Sequence, residues 1–197
     1  MPQTKTLIVP MYNGCPTTQY NLKNVADLQR LVASRKIRTV IDIGAWWGPW
    51  TLEMLSTAEN VKCFEANVDI QPLLAENLKE YSNVEIHNVA LSSQQGIGYM
   101  GPETHSGTYG MKRKNYGNKV QTQTLDHYNF KEVDIIKIDV EGHEHDVLMG
   151  AIETIKSNKP LIQVEIKKSH KQAVYQLLKE LGLKRIYKRF PDQIWSF

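Results

Sequence analysis

Short β-branched apolar runs alternate along the chain with stretches where apolar residues recur every three or four positions. Val25, Leu28, Leu31 and Val32 fall on one helical face, which predicts a helix over 24–35. Thr39–Ile43 is a continuous apolar run broken only by Asp42 and closed by Gly44, the pattern of a strand buried on both faces. A helix is expected from Pro49 to Ser56, because proline is tolerated at a first helical position. Val61–Glu65 reads as the second strand, and Ile70, Leu73, Leu74 and Leu78 as a helix with Asp69 and Pro72 near its start. Val84–Val89 reads as the third strand.

Residues 92–119 are the most irregular stretch, rich in Ser, Gly, Gln, Tyr and Lys, and Ile97–Met100 and Val120–Thr124 could pair as a hairpin around its core. The alternation then resumes. A fourth strand is predicted over Asp134–Asp139, a single helical stripe over Val147, Leu148, Ala151, Ile152 and Ile155, and a fifth strand over Leu161–Ile166. A last helix buries Ala173, Val174, Leu177, Leu178 and Leu181. The closing segments Lys184–Arg189 and Gln193–Phe197 are separated by too few residues for a crossover, so they should be antiparallel. Alternating strands and helices imply an α/β fold with a parallel sheet covered on both faces and ligands beyond the strands' carboxyl ends.

The 197 residues fit one domain, with residues 1–36 as an N-terminal extension and helix and 37–197 as the main unit. Hydrophobic and charged fractions of 41% and 23% exclude a disordered chain, and two cysteines exclude a disulfide scaffold. No apolar run could span a bilayer and no signal-peptide pattern is present, so a cytoplasmic protein with free thiols is expected. Twenty-four Lys and Arg against 21 Asp and Glu leave a net charge of +3, too small to demand a polyanionic partner.

The loop after the first strand reads Asp42-Ile43-Gly44-Ala45-Trp46-Trp47-Gly48. A dinucleotide site needs G-x-G-x-x-G, whose second glycine admits a pyrophosphate. Trp46 stands there instead, and no P-loop motif is present. A nucleoside ligand without phosphate remains. Glu65, 21 residues beyond Gly44, has the spacing of an acid that meets a ribose diol. Asp42 could receive an ammonium group, directly or through water. Ribose, amine and no phosphate together describe S-adenosylmethionine.

The loop after the fourth strand, Asp139-Val140-Glu141-Gly142-His143-Glu144-His145-Asp146, places five ionisable groups within a few residues of Asp139. Glu144 and Asp146 are expected as helix-dipole partners in a first turn. Asp139 and Glu141 are the better site candidates.

At this point the chain closely resembles the FkbM family of S-adenosylmethionine-dependent methyltransferases. The resembling runs are Val40-Ile41-Asp42-Ile43-Gly44 with Gly48, Phe64-Glu65-Ala66-Asn67 and Asn88-Val89-Ala90-Leu91-Ser92. Thr124-Leu125-Asp126, Ile136-Lys137-Ile138-Asp139-Val140-Glu141-Gly142-His143-Glu144, Val147-Leu148 and Gly150-Ala151 continue them in order, so the likeness covers about residues 37–166. Ala66 departs from the proline common there, and the pair Trp46-Trp47 is unusual and reshapes the cofactor or acceptor mouth. The resemblance implies a Rossmann-like class I fold: a seven-stranded, mostly parallel sheet with an antiparallel C-terminal strand. It implies S-adenosylmethionine as donor and most often a hydroxyl oxygen as acceptor, on a small molecule or glycan, anionic if the basic loop faces it. Asp42, Gly44, Trp46, Trp47 and Gly48 would then form the cofactor loop, Glu65 would hold the ribose, and Asn88 to Ala90 would line the adenine. Asp139 and Glu141 would lie near the methionine end and the acceptor.

His143 is the candidate base for the acceptor proton, since it follows the fourth strand and an ordinary imidazole titrates near pH 6.5. His145 and His105 are weaker candidates. Asp139, Glu141, His143 and Glu165 could alternatively offer oxygen and nitrogen to a divalent ion. A second class of function is nucleic-acid binding through Tyr109, Lys112, Arg113, Lys114, Tyr116 and Lys119, basic residues interleaved with aromatics. The absence of N-P-P-Y, D-P-P-Y and P-C motifs disfavours nucleic-acid methylation. A lid over 101–119 closing on an anionic acceptor explains the same residues. A cofactor-binding module without catalysis is the third reading.

Overall fold

A row of apolar strands forms the centre of the protein, which is described by a computed structural model for residues 9, 11–12, 15–16, 22–102, 109–112, 117–166, 171–189 and 191–197. Seven strands make the main sheet: β1 (Ile37–Ile43), β2 (Ala58–Phe64), β3 (Val84–His87), β4 (Val133–Ile138), β5 (Leu161–Glu165), β6 (Lys184–Arg189) and β7 (Asp192–Ser196). Their spatial order is β6-β7-β5-β4-β1-β2-β3. The five strands from β5 to β3 run parallel, and β7 is antiparallel to both neighbours. The terminal hairpin is therefore as expected.

Both faces of this sheet are covered, which is why its central strands read as near-continuous apolar runs. On one face Val40, Val61, Cys63, Ile135 and Leu161 pack with residues of α1 (Leu22–Val32), α2 (Pro49–Met54) and α3 (Gln71–Leu78). On the other, Ile41, Ile43, Ile136, Ile138 and Val164 pack with α4 (Glu144–Met149), α5 (Ile152–Asn158) and α6 (Lys171–Glu180). Val25, Leu28 and Val32 of α1 are fully buried, so this helix is part of the core.

Four expectations need correction. The stripe from Val147 to Ile155 is two helices, because the chain turns at Gly150-Ala151. A β-carbon on Gly150 would lie 2.0 Å from the Ser92 carbonyl oxygen, so only glycine fits. Asp126 accepts the N–H groups of Glu153 and Thr154 and caps the second helix. The third strand stops at His87, and Ala90–Leu91 joins a second sheet instead. That sheet contains part of the stretch expected to be irregular: 96–102 pairs antiparallel with 118–123 and with 109–112, while Ala90–Leu91 runs parallel to 118–123. The predicted hairpin is part of it. His105, Arg113, Lys114, Tyr116 and most of the proposed lid lie outside the described residues. Finally, α1 ends at Val32 rather than residue 35, in a turn closed by Arg35 N–H to Val32 C=O at 2.8 Å.

Candidate functional site

One layer below the strand ends, a row of buried polar side chains crosses the sheet. Strand register sets Cys63 beside Asp42, Asp42 beside Lys137, and Lys137 beside Gln163. Alternation along each strand then points all four toward the α1–α3 face. Asp42 is fully buried; its carboxylate lies 3.0 Å from the Lys137 ammonium and accepts the Thr51 hydroxyl at 2.7 Å. Lys137, with 4% of its side chain exposed, also donates to the Gly44 carbonyl at 2.7 Å. Asp42 is thus enclosed and charge-compensated, and the direct ammonium contact expected of it is not what this geometry offers. Its work is to hold Lys137, which holds the loop above. The Trp50 indole N–H donates to Gln163, and Gln163 donates to Asp192, each at 3.2 Å. Asn24 of α1 donates to the other oxygen of Asp192.

The loop over this row is wound into left-handed backbone, with φ of +77° at Gly44, +53° at Trp46 and +95° at Gly48. Gly44 has a second constraint: a β-carbon there would sit 1.9 Å from the Asp139 carbonyl oxygen. Trp46 has no glycine's licence, and a bulky residue in this region is strained by roughly 1–3 kcal/mol. Glu65, 6% exposed, offsets part of that by accepting the Trp46 N–H at 2.7 Å, while its other oxygen accepts the Asn67 N–H at 2.7 Å. Burial pushes the Glu65 carboxyl upward, and these two donors oppose the shift. Each oxygen keeps a lone pair for a further donor. Trp47 is 6% exposed, and its indole N–H meets no acceptor among the described residues. The two indole rings lie 5.9 Å apart at 50°. Ala66, in the following turn, packs with Ala90 and Val120 and against Met100 and Met111, so the second sheet adjoins this side of the site. Ala90 is 6% exposed and Asn88 is exposed.

Carboxylates collect at the ends of β4, β5 and β7. Glu165 is hydrogen-bonded to Asp139, and Glu141 and Asp192 add their charges. Burial first, then Asp139, push the Glu165 carboxyl up to about 9, so at neutral pH it is protonated and shares its proton with Asp139. Burial also raises Asp192, against its hydrogen bond from Gln163. Glu141 has φ +56° and Gly142 +105°. Glu144, in the first turn of α4 as expected, is fully buried and accepts the Gly142 N–H at 2.7 Å, pinning this turn.

His143 stands just before α4 with its Nε2 3.0 Å from the Ser92 hydroxyl and its Nδ1 3.4 Å from Asp146. Ser93 donates to the same Asp146 at 3.2 Å. The candidate residues therefore fall into two groups, Asp139 and Glu141 with Glu165 and Asp192, and His143 with Ser92 and Asp146. His145 is half-buried on α4. Among the described residues no three His, Cys, Asp or Glu side chains are grouped to hold a metal ion, so the set Asp139, Glu141, His143 and Glu165 does not assemble as one.

A family model, the methyltransferase FkbM domain, matches residues 42–185, a span that holds the loop after β1 and the Asp139–Gly142 turn. The chain belongs to this family. Solved structures agree on the fold of the FkbM domain. The methyltransferase FkbM of Methylobacillus flagellatus superposes with a TM-score of 0.63 at 16% identity, over 84% of this chain and 45% of that one. The present chain thus spans under half the length of that protein. An rRNA methylase from Streptococcus thermophilus gives 0.56 at 14% identity, over 86% and 92% of the two chains. A Streptococcus mutans protein classed as a methyltransferase and solved in complex with SAH gives 0.56 at 12% identity, over 90% and 97%. Among curated proteins none matches the sequence significantly.

In this FkbM domain, sequence reasoning missed Lys137, Thr51, Asp192 and Ser92. Only Lys137 left a signal: a lysine inside Ile-Ile-Lys-Ile must be buried, and a buried ammonium needs a buried acid beside it.

Proposed function

We propose that this FkbM-family methyltransferase uses S-adenosylmethionine and methylates a hydroxyl oxygen of a small molecule or glycan. The observation that carries this reading is the charge balance around the loops. Asp42, Glu65, Asp139, Glu141, Glu165 and Asp192 lie at or just under the strand ends, and among the described residues Lys137 pairs with Asp42 and, at 3.8 Å, with Asp139. Such a site suits a ligand with positive charge, a ribose diol and no phosphate, and it disfavours nicotinamide dinucleotides.

When bound, the cofactor supplies an electrophilic methyl group on a sulfonium, the difficult part of the chemistry. The protein's part is to align and to move one proton. Glu65 has lone pairs left for two hydroxyls after fixing Trp46 and Asn67. Asp139 and Glu141, turned by the Gly142 bend, orient the methionine end and the acceptor. His143 takes the acceptor proton at a ring nitrogen, for which it exchanges its bond to Ser92. Alignment of this kind can contribute about 7–11 kcal/mol, and a placed base a further 10²–10⁴-fold.

The test is incubation of the protein with methyl-labelled S-adenosylmethionine and a cell extract, followed by fractionation and alkaline treatment of the labelled product. Label in a small molecule or glycan, retained through alkali as a methyl ether, is the expected result, and alkali-labile label, a methyl ester, overturns the hydroxyl acceptor. Label confined to nucleic acid overturns the acceptor class. A folded protein that fails to bind the cofactor in calorimetry overturns the reading altogether.

A further inference from the structure

Trp46 occupies a position where its own chemistry is a disadvantage. Its backbone is left-handed, a conformation that Gly, Asn or Asp adopt at far lower cost. Its neighbours show what a tryptophan gains by filling the core here: Trp50 is fully buried and Trp47 is 6% exposed. Trp46 does not follow them. Its ring stays half-buried, tilted against Trp47, while its N–H is fixed by Glu65, the residue read as the ribose ligand. The loop therefore holds a strained backbone and a half-buried indole on a residue whose N–H is fixed by the Glu65 carboxylate.

An indole face attracts cations through its negative π surface, and tryptophan is the strongest of the aromatic side chains in this respect. Carboxylates attract any cation. An aromatic face adds preference for one that is large, diffuse and poorly hydrated, such as a sulfonium or a quaternary ammonium. Resting on the cofactor reading above, we propose that the indole of Trp46 packs against the sulfonium of the methyl donor and selects the charged donor over its neutral thioether product. Trp46 is thus a specificity-determining residue for the donor. Because methyl transfer turns sulfonium into thioether, the same contact weakens as the reaction completes and helps product give way to fresh donor.

The experiment is isothermal calorimetry of the full chain with S-adenosylmethionine and with S-adenosylhomocysteine, in wild type, Trp46→Asn and Trp46→Phe. Asparagine accepts the left-handed backbone, so Trp46→Asn removes the ring without adding strain, and circular dichroism confirms that each variant is folded. Trp46→Asn is expected to weaken S-adenosylmethionine roughly 5–30-fold and S-adenosylhomocysteine less than about 2-fold, with Trp46→Phe between wild type and Trp46→Asn. Equal losses for the two ligands overturn the proposal and leave the cofactor reading standing, since Trp46 then only shapes the pocket. No loss for either also overturns it. Binding of neither ligand by folded wild type removes the cofactor reading itself, and this proposal with it.

Discussion

Replacing Lys137 by methionine should be among the most destabilising single changes in the protein. The ammonium is nearly inaccessible, lies 3.0 Å from the fully buried Asp42 and donates to the Gly44 carbonyl at 2.7 Å. Lys137→Met leaves Asp42 charged in the interior with the Thr51 hydroxyl as its hydrogen-bond donor. Breaking one side of a buried ion pair costs roughly 3–5 kcal/mol, and the lost bond to Gly44 adds about 1 kcal/mol. Against a total stability of roughly 5–15 kcal/mol for a domain, that is a large share. Asp42→Asn should be costly for the mirror reason. The Lys137 ammonium would then face a neutral amide in place of its partner acid, with Asp139 more distant at 3.8 Å.

The double variant separates the pair from its surroundings. With both charges gone, neither is stranded, so Asp42→Asn/Lys137→Met should lose far less than the sum of the two singles, with a coupling of roughly 2–3 kcal/mol. Urea unfolding followed by tryptophan fluorescence and circular dichroism gives the three differences, provided the slope against urea is unchanged. A Lys137→Met variant that loses under about 1 kcal/mol, or singles that simply add, would refute the argument that this pair is buried and mutually dependent.

Gly44→Ala should destabilise the fold by about 2–5 kcal/mol in the same urea assay, because the added carbon meets the Asp139 carbonyl at 1.9 Å and the backbone is at φ +77°. A loss below about 1 kcal/mol would show that the β1 and β4 loops are not in contact. Glu165 binds a proton in the folded protein up to about pH 9 but only to about 4.5 when unfolded, so stability due to this group is full below pH 4.5 and is lost as pH rises toward 9. Wild type should therefore lose stability relative to Glu165→Gln across about pH 5–9, by up to about 1.4 kcal/mol per pH unit, and parallel pH profiles would contradict the shared proton.

How much of this was readable from the sequence depends on the range of the interaction. The central strands were legible because burial on both faces leaves nothing but apolar side chains at most positions, and the terminal hairpin because its connection is too short for any other pairing. The break at Gly150 was not legible. The apolar stripe continues across it, and what stops the helix is the Ser92 carbonyl, 58 positions earlier in the chain. The burial of Glu144 was not legible either: its first-turn place could be read from the sequence, but the tight turn at Glu141-Gly142 that draws it inside could not. The cofactor-loop candidates were marked by glycine spacing and by Glu65. The partners of His143 come from Ser92 and from the helix that follows, so its ring orientation had no local signature beyond the i, i+3 spacing to Asp146.

The site divides into two layers with different electrostatic tasks. In the lower layer, Asp42 and Lys137 compensate each other across adjacent strands, and both are sealed from solvent. Their charges hold the Gly44 carbonyl and fix the loop without depending on what occupies the site. In the upper layer Asp139, Glu141, Glu165 and Asp192 gather, and a proton on Glu165, shared with Asp139, relieves their mutual repulsion. A single uncompensated layer would have coupled loop geometry to every change of charge above it. Placing a neutral pair beneath an acidic rim decouples the two: the rim can gain or lose a proton while the backbone that shapes the site stays where Lys137 holds it. That arrangement follows from one register, Asp42 opposite Lys137 in parallel strands. A slip of one residue would turn Lys137 to the opposite face and leave Asp42 with an isoleucine as its neighbour.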